Sequence, residues 1–232
     1  MKLRKNIVVL TGAGISAESG ISTFRDANGL WENHNIHDVA SPEGFRRNPA
    51  LVLDFYNQRR KQLLTCEPNA GHKALVKLEE KFDVHIITQN VDDLHERAGS
   101  TKVLHLHGEL RKARSTRNER LVYSWDKDIL QGDLAEDGHQ LRPHIVWFGE
   151  AVPMIEKAVE ITRKADILII IGTSLQVYPA AGLIHYTDFD VLRYLVDPNE
   201  LSASELSSIT FIRATATEGV PRLADQLLSE HE

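Results

Sequence analysis

Residues 6–26, NIVVLTGAGISAESGISTFRD, decide the fold. Their apolar opening, Ile7-Val8-Val9-Leu10, is short and rich in β-branched side chains, the composition of a strand buried on both faces of a parallel sheet. Gly12-Ala13-Gly14-Ile15-Ser16-Ala17 follows at once, a G-x-G-x-x-A turn. Between a strand and a helix such a turn is a dinucleotide fingerprint. Gly12 permits the tight turn, Gly14 lets the backbone approach a pyrophosphate, and Ala17 lets the helix pack on the strand. The N–H groups at the helix start would then face phosphate oxygens. Taken alone, the fingerprint fits an ordinary tight turn equally well.

A standard dinucleotide fold continues through a helix to a second strand that ends in a carboxylate about 20 residues later. Here residues 20–35 are instead a polar stretch carrying Phe24, Arg25, Asp26, Gly29 and Trp31, and a loop of that length inside a domain is usually functional. Pro49–Leu64 predicts a helix with proline at its first position, and Leu51, Val52, Phe55 and Leu63 share its apolar face. Arg59 falls near the middle of that face, three residues after Tyr56. A guanidinium there either snorkels out or stacks on Tyr56 at a groove edge, or else it meets an acid; periodicity leaves these open.

Residues 69–81 predict a second amphipathic helix, and Val84–Thr88 a buried strand that runs into Gln89-Asn90-Val91-Asp92. Ligands bind at the carboxyl ends of parallel strands, where these amides and this carboxylate stand, although Asn90 or Asp92 would serve equally as a helix N-cap. Lys102–Gly108 predicts a short strand with His105 and His107 on one face. An isolated histidine is more often structural; His107 stands out because a glycine ends the strand beside it.

Residues 109–143 break the rhythm and predict a small satellite module or hairpin, with Val122–Trp125 as a short strand. Ile145–Glu150 is an apolar run closed by glycine, and 155–164 predicts a helix. Asp166–Ile171 is the most apolar strand, ending in Gly172-Thr173-Ser174. Two further strands, 191–196 and 209–212, precede a helix from about Val220. Strands alternating with helices give an α/β fold, a doubly wound parallel sheet, with a small inserted satellite module.

Composition bounds the function. The 232 residues are 42% hydrophobic and 26% charged, which argues against disorder, and the net charge of −6 suggests no nucleic-acid partner. The single cysteine, Cys66, excludes internal disulfides and any cysteine-based metal site. No apolar run reaches the ~18 residues of a membrane helix, and no secretory signal pattern is visible, so the expectation is no membrane partner and a cytoplasmic location.

Four stretches, GAGISAESGISTFRD, TQNVDDLHERAG, HLHGEL and GTSLQVYPAA, stand in the order found in the sirtuins, the NAD-dependent protein deacylases. With HIVWFGE between the last two, the chain resembles that family over roughly residues 5–182. The resemblance implies a single Rossmann-like catalytic domain over 1–232, its core built from 1–35, 82–108 and 143–232. It also implies a small helical insert at 36–81 and an insert at 109–142 in the place of a zinc module. NAD is the implied cofactor and acylated-lysine proteins or peptides are the implied partners; nicotinamide and an O-acyl-ADP-ribose are the products. His107 is the implied general base, with Asn90 also catalytic. Gln89, Asn90 and Asp92 would hold the ribose and the nicotinamide amide.

The resemblance places the rest of the cofactor along Gly12, Ala13, Gly14, Ser16, Ala17 and Glu18, with Phe24, Arg25 and Trp31 covering it. Gly172, Thr173, Ser174 and Ala216 would stand on the adenosine side. Val146–Glu150 and Val177–Pro179 would form the walls of the acyl-lysine tunnel and the edges that pair with a peptide backbone, with Val146, Phe148, Gly149 and Val177 as substrate contacts. The FYNQRR stretch is similar to that of the subgroup that removes succinyl and malonyl groups, which makes Tyr56 and Arg59 the implied partners of an acidic acyl chain. Transfer of ADP-ribose to protein and non-enzymatic NAD or ADP-ribose sensing are the alternative functions.

Two positions depart from the family pattern. Most sirtuins carry four zinc-binding cysteines in the satellite module; here Ser115 and Asp137-Gly138-His139 stand near those places, so no zinc is expected and the module should fold by packing alone. Leu195 stands where an asparagine commonly meets the adenosine ribose, leaving Asp197 or Asn199 to substitute.

Overall fold

The computed structural model describes residues 4–21, 30–31, 34–199 and 209–231. In chain order the elements are β1 (Asn6–Thr11), the one-turn helix α1 (Gly14–Ala17), β2 (Leu30–Trp31), β3 (His34–Asn35), α2 (Ile36–Val39), α3 (Pro42–Arg47), α4 (Pro49–Leu63) and α5 (Ala70–Leu78). Then come β4 (Asp83–Thr88), α6 (Leu94–Ala98), β5 (Val103–His105), β6 (Gly108–Ser115), β7 (Val122–Ser124), β8 (Leu141–Ile145), α7 (Ile155–Thr162) and β9 (Ile167–Ile171). A 3₁₀ helix (Ala180–Tyr186), β10 (Leu192–Val196), β11 (Ile209–Ile212) and α8 (Ala216–Ser229) complete them.

The main sheet is parallel, in the order β11-β10-β9-β1-β4-β5. Alternation along its central strands builds two cores. Ile7 and Val9 of β1, with Ile167, Ile169 and Ile171 of β9, face Leu75 and Leu78 of α5 and Leu223 and Leu227 of α8. Val8, Leu10, Leu168 and Ile170 face the other way, onto Ala158 of α7 and Leu183 of the 3₁₀ helix. With both faces covered, the strands read as continuous apolar runs, which is why β1 and β9 are legible in the sequence.

The chain leaves β1 toward β4 on one side and occupies β9, β10 and β11 on the other, so the switch in strand order lies between β1 and β9. There the two backbones touch: Gly12 N–H donates to Ile171 O at 3.0 Å and Gly14 N–H to Gly172 O at 2.9 Å. A Cβ on Gly14 would lie 2.6 Å from Gly172 Cα, and Gly172 itself sits at φ +58°. Both positions therefore require glycine.

The satellite is a three-stranded antiparallel sheet, β7-β6-β8, rather than a hairpin. The apolar run at 145–150 is not a strand. β8 ends at Ile145, and Gly149 at φ +89° folds the chain back so that the Glu150 carboxylate accepts Trp147 N–H at 2.8 Å. The module also does more than pack. Beside a small apolar cluster of Ala113, Ile129, Ala135 and Leu141, Ser115 Oγ donates to Asp137 Oδ2 at 2.7 Å and accepts the N–H groups of Arg117 and Asn118 at 3.0 and 3.2 Å. Asp137 Oδ1 in turn accepts His139 N–H at 3.1 Å. These residues do not fit a structural zinc: the hydroxyl and the carboxylate are bonded to each other, and among the described residues no group of three His, Cys, Asp or Glu could hold a metal.

The α8 helix starts at Ala216, a turn before the expected Val220, with Pro221 inside it. The Glu18 carboxylate explains the early start, accepting Thr217 N–H at 3.1 Å and Thr217 Oγ1–H at 2.7 Å.

Candidate active site

A cavity of about 590 Å³ opens over the carboxyl ends of β1, β4, β9 and β10, at the switch point where α/β sheets bind ligands. It is lined by Gly12, Ala13, Gly14, Ser16, Ala17 and Glu18 from the first turn and by Gln89, Asn90, Asp92 and His107 from the β4 and β5 ends. Gly172, Thr173, Ser174 and Val177 follow β9, and Ala216 opens α8. Tyr56, Arg59, Val146, Phe148 and Gly149 close the opposite end. The structure thus brings these sequence-derived candidates to one cavity. Phe24 and Arg25 lie outside the described residues, as does the Trp31 side chain.

The β4 end is a buried polar web. Asn90 Nδ2–H donates to Ser16 Oγ at 3.2 Å, and Ser16 Oγ–H donates to Asp92 Oδ2 at 3.0 Å. Asp92 Oδ1 accepts Leu94 N–H at 3.2 Å. Burial raises the Asp92 pKa against these bonds, so the carboxyl is held in a place that disfavours its charge. Gln89 Nε2–H donates to Thr173 Oγ1 at 3.0 Å, tying the β4 end to the β9 end across the opening.

The two histidines separate in role. The β5 strand stops at His105, so the strand alternation expected for His105 and His107 does not extend to His107. His105 bridges Asn90 O at 3.0 Å and Glu96 Oε1 at 2.8 Å. Burial opposes its charge, but Glu96 and the Asn90 carbonyl outweigh burial and raise its pKa; it is a structural brace. His107 lines the cavity, with Nδ1 3.0 Å from Gln89 O. A carbonyl oxygen only accepts, so Nδ1 carries the proton and the neutral ring keeps its lone pair on Nε2. Burial lowers the His107 pKa, favouring that neutral form.

Two sequence expectations change. N–H groups that the fingerprint would point at phosphates are engaged: Gly14 N–H by Gly172 O across the β1–β9 junction and, within the turn, Ile15 N–H by Gly12 O at 3.2 Å and Ser16 N–H by Ala13 O at 3.1 Å. The turn therefore offers close approach rather than a bare helix start. The Arg59 guanidinium carbon lies 5.7 Å from the Phe55 ring centroid, so the ring beneath it is Phe55 rather than Tyr56. Leu195 packs in the core on the α7 side, and the cavity wall there is made by Val196, Asp197, Pro198 and Asn199. Asp197 is 8% exposed, with Oδ1 accepting Asn199 N–H at 2.8 Å.

Trp147 and Glu150 enter the sequence reading only within the tunnel-wall segment 146–150, and Arg142 not at all; the Trp147 indole Nε1–H donates to Tyr56 Oη at 3.0 Å, with Arg142 and Glu150 paired behind it. The missed signal was the charged pair Arg142 and Glu150 flanking an apolar run. The α4 helix carries Tyr56 and Arg59 toward the cavity and Asn57 and Arg60 toward the satellite. Asn57 exchanges bonds with Ile129 O and N–H, and Arg60 Nε–H donates to Leu110 O at 2.9 Å.

Comparison with known proteins agrees with this arrangement. Residues 12–179 match the model of the Sir2 family. An NAD-dependent protein deacylase of Helicobacter pylori (strain ATCC 700392 / 26695) is 57% identical over 97% of this chain and 98% of its own. One of Bacteroides thetaiotaomicron is 56% identical over 97% and 98%. Among solved structures, a Sir2 homolog–NAD complex superposes with a TM-score of 0.87 at 35% identity, covering 99% of this chain and 91% of that one. A Sir2–p53 peptide–NAD+ complex does so at 0.74 and 30%, covering 98% and 93%.

Proposed function

This chain belongs to the Sir2 family and is an NAD-dependent protein deacylase, and we propose that it removes succinyl and malonyl groups as well as acetyl groups from protein lysines. The sensor alternative falls with the first half of that statement. The observation that carries the second half is the placement of Tyr56 and Arg59, both buried, in the wall of the cavity that also holds His107. A phenol and a guanidinium one helical turn apart suit a carboxylate at the far end of an acyl chain, which a guanidinium meets with charge-assisted, bidentate bonds.

In this reading the acyl-lysine enters between the Val146–Gly149 segment and Val177. NAD supplies a ribose whose anomeric carbon can be attacked as nicotinamide leaves. The Gly12–Gly14 turn and Gly172–Ser174 give the dinucleotide close backbone approach. Gln89 and Asn90 orient the ribose, and Asp92, fixed by Ser16 and Leu94 N–H, orients the nicotinamide amide. His107 Nε2 takes a proton from a ribose hydroxyl, its tautomer set by Gln89 O. Tyr56 and Arg59 hold the distal carboxylate of an acidic chain.

The deciding experiment is mass analysis of matched acetyl-, succinyl- and malonyl-lysine peptides incubated with and without NAD. NAD-dependent loss of the acidic acyl groups, with the matching O-acyl-ADP-ribose, is expected. Turnover of the acetyl peptide alone would overturn the acidic-acyl assignment.

A further inference from the structure

The Trp147 indole reaches Tyr56 from the satellite side of the cavity. Both side chains are enclosed, Trp147 at 2% and Tyr56 at 0% exposure, and they meet at the 3.0 Å bond from Nε1–H to the phenol oxygen. An indole nitrogen is a donor only, so the phenol accepts here and its own O–H is turned away from Trp147. The indole is held in turn. The Arg142 guanidinium carbon lies 3.3 Å from its ring centroid. Glu150 grips that guanidinium through Nη1 at 2.6 Å and Nη2 at 3.1 Å, while Ile145 O accepts Nη2–H at 2.9 Å. The same Glu150 carboxylate accepts the Trp147 backbone N–H, so one acid fixes both layers of the stack. A planar guanidinium can stack face to face on a ring while pairing bidentately with a carboxylate, a geometry an ammonium does not offer.

We propose that Trp147 and Arg142 are positioning residues for acyl selectivity: Arg142, clamped by Glu150, sets the indole plane, and the indole N–H sets the direction of the Tyr56 hydroxyl toward the acyl chain. This rests on the acidic-acyl reading above. A succinyl carboxylate meets Tyr56 and an acetyl group ends short of it, so the stack governs one activity and not the other. The satellite sheet, which carries Arg142 on β8, thereby acts on substrate choice from outside the cavity.

The test compares kcat/KM for matched succinyl and acetyl peptides in Trp147→Phe, Tyr56→Phe, the double variant and Arg142→Lys, with thermal melting to establish that each folds. Trp147→Phe keeps the ring and deletes the N–H. It should lower the succinyl-to-acetyl ratio of kcat/KM about tenfold, chiefly through the succinyl KM. The double variant should be no worse than Tyr56→Phe, because the N–H acts only through that hydroxyl. Arg142→Lys should shift the succinyl-to-acetyl ratio in the same direction. Parallel loss of both activities in Trp147→Phe, or additive losses in the double variant, would overturn the proposal. A wild-type enzyme without activity on succinyl or malonyl peptides would overturn the acidic-acyl reading itself. Desuccinylation by wild type, with an unchanged ratio in Trp147→Phe, would defeat the positioning role alone.

Discussion

His107 and Gln89 are joined by a 3.0 Å hydrogen bond between Nδ1 and the Gln89 carbonyl, and this single contact settles which ring nitrogen is basic. In the proposed mechanism the same β4 end that orients the cofactor therefore also sets the base. Replacing His107 with alanine should lower deacylation by about 10²–10⁴ while NAD still binds, as loss of a general base does. Near-normal turnover of His107→Ala, measured alongside NAD binding by calorimetry, would defeat the assignment.

The pH dependence has a defined sign. Burial lowers the His107 pKa, and the base works only when neutral. Activity should hold as pH falls through the ordinary histidine range near ~6.5 and decline only below it. An acid limb in kcat centred above that range would contradict the buried, neutral base.

Arg59→Met should lower kcat/KM for succinyl peptides by roughly tenfold to a hundredfold, the worth of a hydrogen bond to a charged group, and leave acetyl peptides near wild type. Equal losses on both peptides would identify Arg59 as a structural residue.

The satellite should be indifferent to chelators and sensitive to its hydroxyl. Ser115 is buried and serves one carboxylate and two backbone N–H groups. Ser115→Ala should lower Tm by roughly 2–8 °C, whereas a strong zinc chelator should leave Tm and activity unchanged. The Asp137 pKa is lowered, chiefly by the Ser115 hydroxyl. Its contribution to stability is therefore present above the ordinary carboxylate pKa and fades as pH falls through the lowered value. Loss of activity on chelation, with one zinc per chain, would overturn this.

At the adenosine end, Asp197→Ala should raise KM for NAD about tenfold, while Leu195→Met, a core change, should leave it near wild type. The reverse pattern would defeat the assignment of Asp197.

What the sequence disclosed follows from how locally each feature is encoded. The β1 turn, the Gln89–Asp92 cluster and the His107-Gly108 junction are contiguous, and each stands at a strand end whose apolar run is visible. The Trp147–Tyr56 bond joins residues 91 apart, and the Ser115–Asp137 bond joins residues 22 apart; no local pattern announces either. Along β10, Leu195 and Val196 look alike in sequence, and only the covering helices show that Leu195 faces the α7 side and Val196 the α8 side. The α8 start was hidden because its acceptor, Glu18, lies 199 residues away from Thr217.

That last contact has a consequence for biosynthesis. Glu18 and Ala216 share the cavity wall, and Glu18 holds the first turn of α8. A nascent chain that has emerged as far as β11 has its glycine turn, its base and its strand ends, yet lacks one wall and the helix that covers Ile7, Val9 and Ile169. Domains fold as units during synthesis, and here the unit closes only when α8 arrives. A chain cut before Ala216 would leave Ile7, Val9 and Ile169 uncovered on that face and is expected to lose NAD-dependent turnover together with its folded core.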